Sequence, residues 1–81
     1  MDGKQCRAAR AWLGCEAREL ARAVGCNRDT LRRFEVGDGH RLRPATEAAL
    51  RAELESRGIV FTFSRDGDPL GIEEARSRIC E

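Results

Sequence analysis

Tyrosine is absent from the 81 residues, histidine and tryptophan occur once each, and proline only twice. The sequence shows no Ser/His/Asp set and no carboxylate pair in a recognisable catalytic setting. Walker and GxGxxG phosphate loops are missing as well. These absences exclude an enzyme reading and leave no cofactor or small-molecule ligand to expect. Four cysteines are present, Cys6, Cys15, Cys26 and Cys80, but no C-x-x-C pair, and the one histidine, His40, sits in a glycine-containing loop. Structural zinc normally needs closely paired ligands, so no metal is expected.

Long hydrophobic runs are also missing. The longest, residues 58–63, is far too short to span a bilayer. Asp2, Lys4, Arg7 and Arg10 interrupt the N-terminus where a secretory signal would carry its apolar core. The expectation is a cytoplasmic protein in a reducing compartment, with free thiols and no membrane partner. Cys6, Cys15 and Cys26 then read as small buried hydrophobes, and Cys80 as an exposed terminal thiol.

What is present is charge, unevenly placed. The net charge of +1 conceals ten basic against six acidic residues in 1–43, and five against eight in 44–81. Such asymmetry suggests that the first half meets a polyanion. Apolar residues recur at helical spacing. Cys6, Ala9 and Leu13, with Trp12 beside them, predict a helix over 5–13, and Ala17, Leu20, Ala21 and Val24 a second over 16–24. Gly25 closes that helix, and Asn27 suits the N-cap of a third that runs to Val36 and buries Leu31 and Phe34. Pro44 fits the first turn of a fourth helix, with Ala45, Ala48, Ala49, Leu50, Ala52 and Leu54 as its apolar positions, ending before Gly58.

The tail has a different period. Residues 59–63, IVFTF, predict a strand with Ile59, Phe61 and Phe63 on one face, and Asp66-Gly67 a turn. Residues 70–81 fit either a returning strand over Leu70–Ile72 or a short helix through Ile72, Ala75 and Ile79. The predicted fold class is an all-α core of four helices, residues 1–58, with a short C-terminal β-strand or hairpin extension in 59–81. An isolated strand or two-stranded hairpin is marginal in water. The row Ile59, Phe61 and Phe63 is therefore expected to pair with a second subunit as a dimerisation element, the alternative being that it packs back on helix 1 or helix 4.

Two helices joined by a tight glycine turn, here within 16–36, make a helix-turn-helix unit. The segments QCRAARAWLG, ELARAVGCNRDTLRRFEVG and PATEAALRAELESRGIVF, within residues 5–63, resemble the lambda-repressor-like (XRE-type) helix-turn-helix regulators, particularly very small proteobacterial and phage members. The shared pattern is Leu20, Ala21, Gly25, Leu31, Phe34-Glu35 and Gly37. The resemblance implies that Arg28, Asp29 and Arg33 read base edges in the major groove. Arginine pairs with guanine O6 and N7, and aspartate accepts from cytosine N4. It implies backbone contacts from Asn27, Thr30, Arg32, Arg41 and Arg43, with weaker candidates in His40, Arg7 and Arg10, and a structural role for Glu35. Where the family has an aromatic-Ser-Gln sequence, this chain has Cys15-Glu16-Ala17. Ala17 cannot make the family's glutamine contact, so Arg18 or Arg10 is expected to replace part of it. Trp12 reads as a core or interface residue.

The implied function is a dimeric, sequence-specific DNA-binding regulator, foremost an autorepressor, binding a pseudo-palindromic double-stranded operator. The rival reading is a protein-interaction module or an antitoxin that uses the same fold to hold a protein partner.

Overall fold

The computed structural model describes residues 1–37 and 42–75. Its elements are α1 (Gly3–Leu13), α2 (Ala17–Val24), α3 (Arg28–Val36), α4 (Pro44–Ser56), β1 (Ile59–Phe63) and β2 (Pro69–Glu74). His40, Arg41, Cys80 and the helical alternative through Ile79 fall outside the described residues. Among the described residues, no helix is long and apolar enough to cross a membrane.

Local chemistry sets the helix ends. The side chain of Asp2 accepts the Gln5 N–H at 2.8 Å while Gln5 Oε1 accepts the Asp2 N–H at 3.0 Å. This reciprocal pair starts α1 at Gly3, two residues before the periodicity alone indicates. The α2–α3 turn needs Gly25, whose φ of 73° is left-handed. In that conformation the Cys26 N–H reaches back to Ala21 O at 2.9 Å, and Asn27 Oδ1 accepts the Asp29 N–H at 2.7 Å to open α3. Gly3 is required for a different reason. A β-carbon there would overlap Phe34 O and stand 2.9 Å from Glu35 Cα, so the first turn of α1 lies directly on the last turn of α3.

The core joins helix and strand residues. Cys6 and Ala9 of α1, Leu20 and Ala21 of α2, Leu31 and Phe34 of α3, Leu50 and Leu54 of α4 and Ile59 and Phe61 of β1 form one buried cluster with Cys15 and Leu42. Val24 is half-buried against it, and so is Cys26, which the sequence predicts to be buried. On α4 only Leu50 and Leu54 are buried. Ala45, Ala48 and Ala52 are exposed, because the helix is covered on one side only. Trp12 points away from the core and is 61% exposed.

The tail corrects the predicted fold class. It is not a short extension on an all-α core. β1 and β2 form an antiparallel sheet of five and six residues that is a sizeable part of the fold. Phe61 stands opposite Ile72, which removes the helical alternative for that residue, and the Ala75 N–H continues the pairing onto Gly58 O. Gln5, itself buried, holds the sheet to α1. Its Nε2 donates to Thr62 O and to Gly71 O, both at 2.9 Å, so each polar group of its amide is satisfied.

The premise for a dimer through the β1 row is corrected with it. Ile59 and Phe61 are only 2% and 5% exposed as whole residues, backbone included, so the chain itself covers them. Phe63 is half-buried, and the Arg51 guanidinium lies over the rings of Phe61 and Phe63 at 5.8 and 5.3 Å. The strand packs onto α4 and pairs with β2, so Ile59 and Phe61 follow the alternative in which the row packs back on its own chain.

Candidate nucleic-acid interface

α3 is divided along its length. Leu31, Phe34 and Glu35 are buried, whereas Arg28, Asp29, Arg32, Arg33 and Val36 are exposed. The exposed positions recur at i, i+1, i+4, i+5 and i+8, a single stripe on the helix. The buried side is fixed by charge as well as by packing. Arg10 of α1 grips the Glu35 carboxylate with two parallel bonds, Nε to Oε2 at 2.8 Å and Nη2 to Oε1 at 2.6 Å. The Cys6 thiol donates to the same Oε2 at 3.1 Å, and Arg10 Nη1 donates to Cys15 O at 3.0 Å. One side chain thus ties α1, α3 and the approach to α2 together. The bond to Glu35 raises the Arg10 pKa further, and burial followed by the Glu35 contact pushes the Cys6 thiol well above the ordinary thiol range. Arg10 is committed inside the protein, which removes it as a replacement for the α2 contact. Glu35 is structural, as the resemblance implied.

Three open grooves run across the outward side of α3. The first is lined by Glu16, Ala17 and Arg18 of the α2 start together with Arg28 and Arg32. Glu16 makes no side-chain cap bond, and the methyl of Ala17 leaves the floor of this groove open. The second holds Asp29, Arg32, Arg33 and Val36. The third lies between the α2–α3 turn and the start of α4, where Asn27 and Thr30 face Arg43 and Thr46. The predicted residues therefore assemble into two groups at different sides of α3. Arg28, Asp29, Arg32, Arg33 and Arg18 lie on one side, and Asn27, Thr30 and Arg43 on the other. Arg41 lies outside the described residues. Arg7 is exposed on α1, away from these grooves.

The electrostatics of this face are one-sided. Among the described residues, ion pairs engage Arg10, Arg51 and Arg57, but none engages Arg18, Arg28, Arg32, Arg33 or Arg43. Asp29 and Arg33 sit one turn apart on the stripe without pairing. Arg57, in contrast, is held by Glu53 at 2.8 Å and reaches Glu19 at 3.7 Å, and its Nη1 donates to Cys15 Sγ at 3.4 Å. The guanidinium groups of Arg18, Arg28, Arg32, Arg33 and Arg43 are thus open to an external anion, whereas Arg51 and Arg57 of the α4 region are neutralised within the chain. No group of histidine, cysteine or carboxylate ligands able to hold a metal occurs among the described residues.

Sequence reasoning missed Gly3, the Arg10 grip and the Gln5 clasp. Asp2-x-x-Gln5 is a readable capping-box pattern and could have placed the start of α1. The other contacts join residues far apart in sequence and leave no local signal. The chain matches no protein-family model and no curated protein.

Proposed function

We propose that this chain is a sequence-specific double-stranded DNA-binding regulator of the lambda-repressor-like helix-turn-helix type, with α3 lying in the major groove. The observation that carries this reading is the division of α3. Its inner side is clamped by Phe34, Leu31 and the Arg10–Glu35 pair, and its outer stripe offers Arg28, Arg32 and Arg33 without an internal ion-pair partner among the described residues. A rigidly held helix with free guanidinium groups suits bidentate reading of guanine. In this reading Arg28, Asp29 and Arg33 contact bases. Arg18 and Arg32 hold phosphates on one side, Asn27, Thr30 and Arg43 hold them on the other, and Arg41 is a further backbone contact of the reading. The protein acts without catalysis or cofactor, in the cytoplasm, as a dimer on half-sites about 34 Å apart, and represses its own transcription.

The test is a gel shift with footprinting on the DNA upstream of its own gene. Discrete complexes that survive excess random competitor support the proposal. The absence of any specific complex, together with a stable co-purifying protein, supports the protein-interaction or antitoxin reading instead.

A further inference from the structure

The exposed residues of α1 are Lys4, Arg7, Ala8, Ala11 and Trp12. Their spacing places them on one stripe, which carries two positive charges, no acid and the only tryptophan of the chain. Trp12 is 61% exposed, a large apolar surface to leave in water. The β1–β2 hairpin has the opposite character. Leu70, 68% exposed, lies where the strand register shifts, and Val60, opposite Glu73, is exposed further along the ladder on β1. Around them stand Asp66, Asp68, Glu73 and Glu74, with Arg65 the single opposing charge in residues 59–75. The basic stripe holds an aromatic anchor, and the acidic hairpin holds an aliphatic one. Neither anchor is covered by the described residues of its own chain.

We propose that a second copy of the chain is the occupant of both surfaces. The hairpin of each copy docks on the outer face of α1 of the other, setting Leu70 against Trp12 and Glu73, which shares the outer face of the hairpin with Val60, toward Lys4 and Arg7. Complementary charge selects the second copy, because the hairpin, with Asp66, Asp68, Glu73 and Glu74 against the single Arg65 and with Leu70 exposed, has the sign and apolar character that fit the α1 stripe. Gln5 holds α1 beside both strands, so the two surfaces lie next to each other on one molecule. A two-fold axis between them forms both contacts at once and closes the assembly as a dimer, leaving no open end. This interface supplies the dimer required by the DNA-binding reading, but it forms without DNA.

Sedimentation equilibrium and intrinsic fluorescence on the DNA-free protein test it. The expected result is a monomer–dimer equilibrium in which emission from the single tryptophan moves to shorter wavelength as dimer forms. Leu70→Glu and Trp12→Ser should each raise the dimer dissociation constant by about tenfold or more, a loss of about 1.4 kcal/mol. Both sites are exposed, and an unchanged far-UV spectrum verifies that the variants fold. Glu73→Lys should weaken the dimer, and adding Lys4→Glu to the same chain should restore it. A protein that stays monomeric, a dimer whose tryptophan emission remains that of an exposed indole, or a charge reversal without restoration overturns the inference. A dimer of the expected kind that binds no specific DNA leaves the interface standing and removes the regulator. Operator complexes formed by a monomer do the reverse.

Discussion

Replacing Arg10 by alanine should cost far more than removing any arginine on the α3 stripe. Glu35 is 3% exposed, and Arg10 makes both of the strong bonds to its carboxylate. In Arg10→Ala that carboxylate keeps only the weak donor of Cys6, in a site with almost no water. Removing one partner of a buried pair costs roughly 3–5 kcal/mol. Arg10 itself keeps some exposure, 19% for its side chain, which favours the lower end, about 3 kcal/mol. A domain of this size has a total stability of roughly 4–12 kcal/mol, so the loss is a large share of it. In urea, followed by far-UV circular dichroism, the midpoint should fall by about 1–3 M. The melting temperature should fall by about 12 °C or more. The control is Arg10→Met combined with Glu35→Leu, which removes both charges and keeps volume. It should recover most of the loss, because the cost lies in the orphaned carboxylate and not in the missing attraction. Additive losses in the double variant, or an Arg10→Ala protein within 1 kcal/mol of the parent, a tolerance set by surface substitutions at roughly ±0.5 kcal/mol, would refute the reasoning.

Gly3→Ala should destabilise by about 1–3 kcal/mol, because its β-carbon meets backbone that cannot move aside. Gly71→Ala, whose β-carbon meets only Thr62 Oγ1 at 3.7 Å, serves as the denaturation comparison, and equal losses would disprove the close approach of α1 to α3. Arg28→Ala and Arg33→Ala should leave the melting temperature unchanged but weaken operator binding by about 1–3 kcal/mol each in gel-shift titrations, with much smaller losses on random DNA. Alkali should destabilise the protein through Cys6. Its thiol pKa is raised in the folded state, so the native form keeps the proton while the unfolded chain releases it above about pH 8.5. The stability linked to this thiol is therefore complete below that pH and falls by about 1.4 kcal/mol per unit above it. Cys6→Ala should flatten the alkaline limb of a stability–pH curve. An identical slope in that variant would show that Cys6 is not the titrating group.

The elements with local causes were legible in the sequence. Asn27, Gly25 and Pro44 mark helix ends through backbone chemistry that acts over one to three residues, and each occupies its expected place. On α3 the helical period indicated the buried Leu31 and Phe34, whereas the choice of Arg28, Asp29 and Arg33 came from the resemblance. The tail was less legible because Ile72 and Ala75 satisfy both a strand and a helix pattern. The choice between them is made by Phe61 across the ladder, by the Ala75 N–H on Gly58 O and by the Gln5 amide, all distant in sequence. The same contacts explain why the β1 row was misread. A strand taken alone has an uncovered apolar face, but this one is covered by α4 from one side and paired with β2. The role of Glu35 came from the resemblance, whereas its partner, 25 residues away, could only be seen in three dimensions.

The Gln5 clasp bears on the order in which the molecule assembles. Its two bonds close loops of 57 and 66 residues, nearly the whole chain, whereas the α2–α3 turn closes over a handful. Loop closure costs more entropy as the span grows, and distant pairings form late. The α2–α3 unit should therefore gain protection early in refolding, before the ends of the chain meet. In the native state the reverse order applies. The first turn of α1 and the sheet should open together as one cooperative unit, at lower free energy than the helices beneath. In hydrogen exchange, amides of residues 3–6 and 59–74 would then share a common rate, distinct from the slower exchange around Leu20 and Leu31.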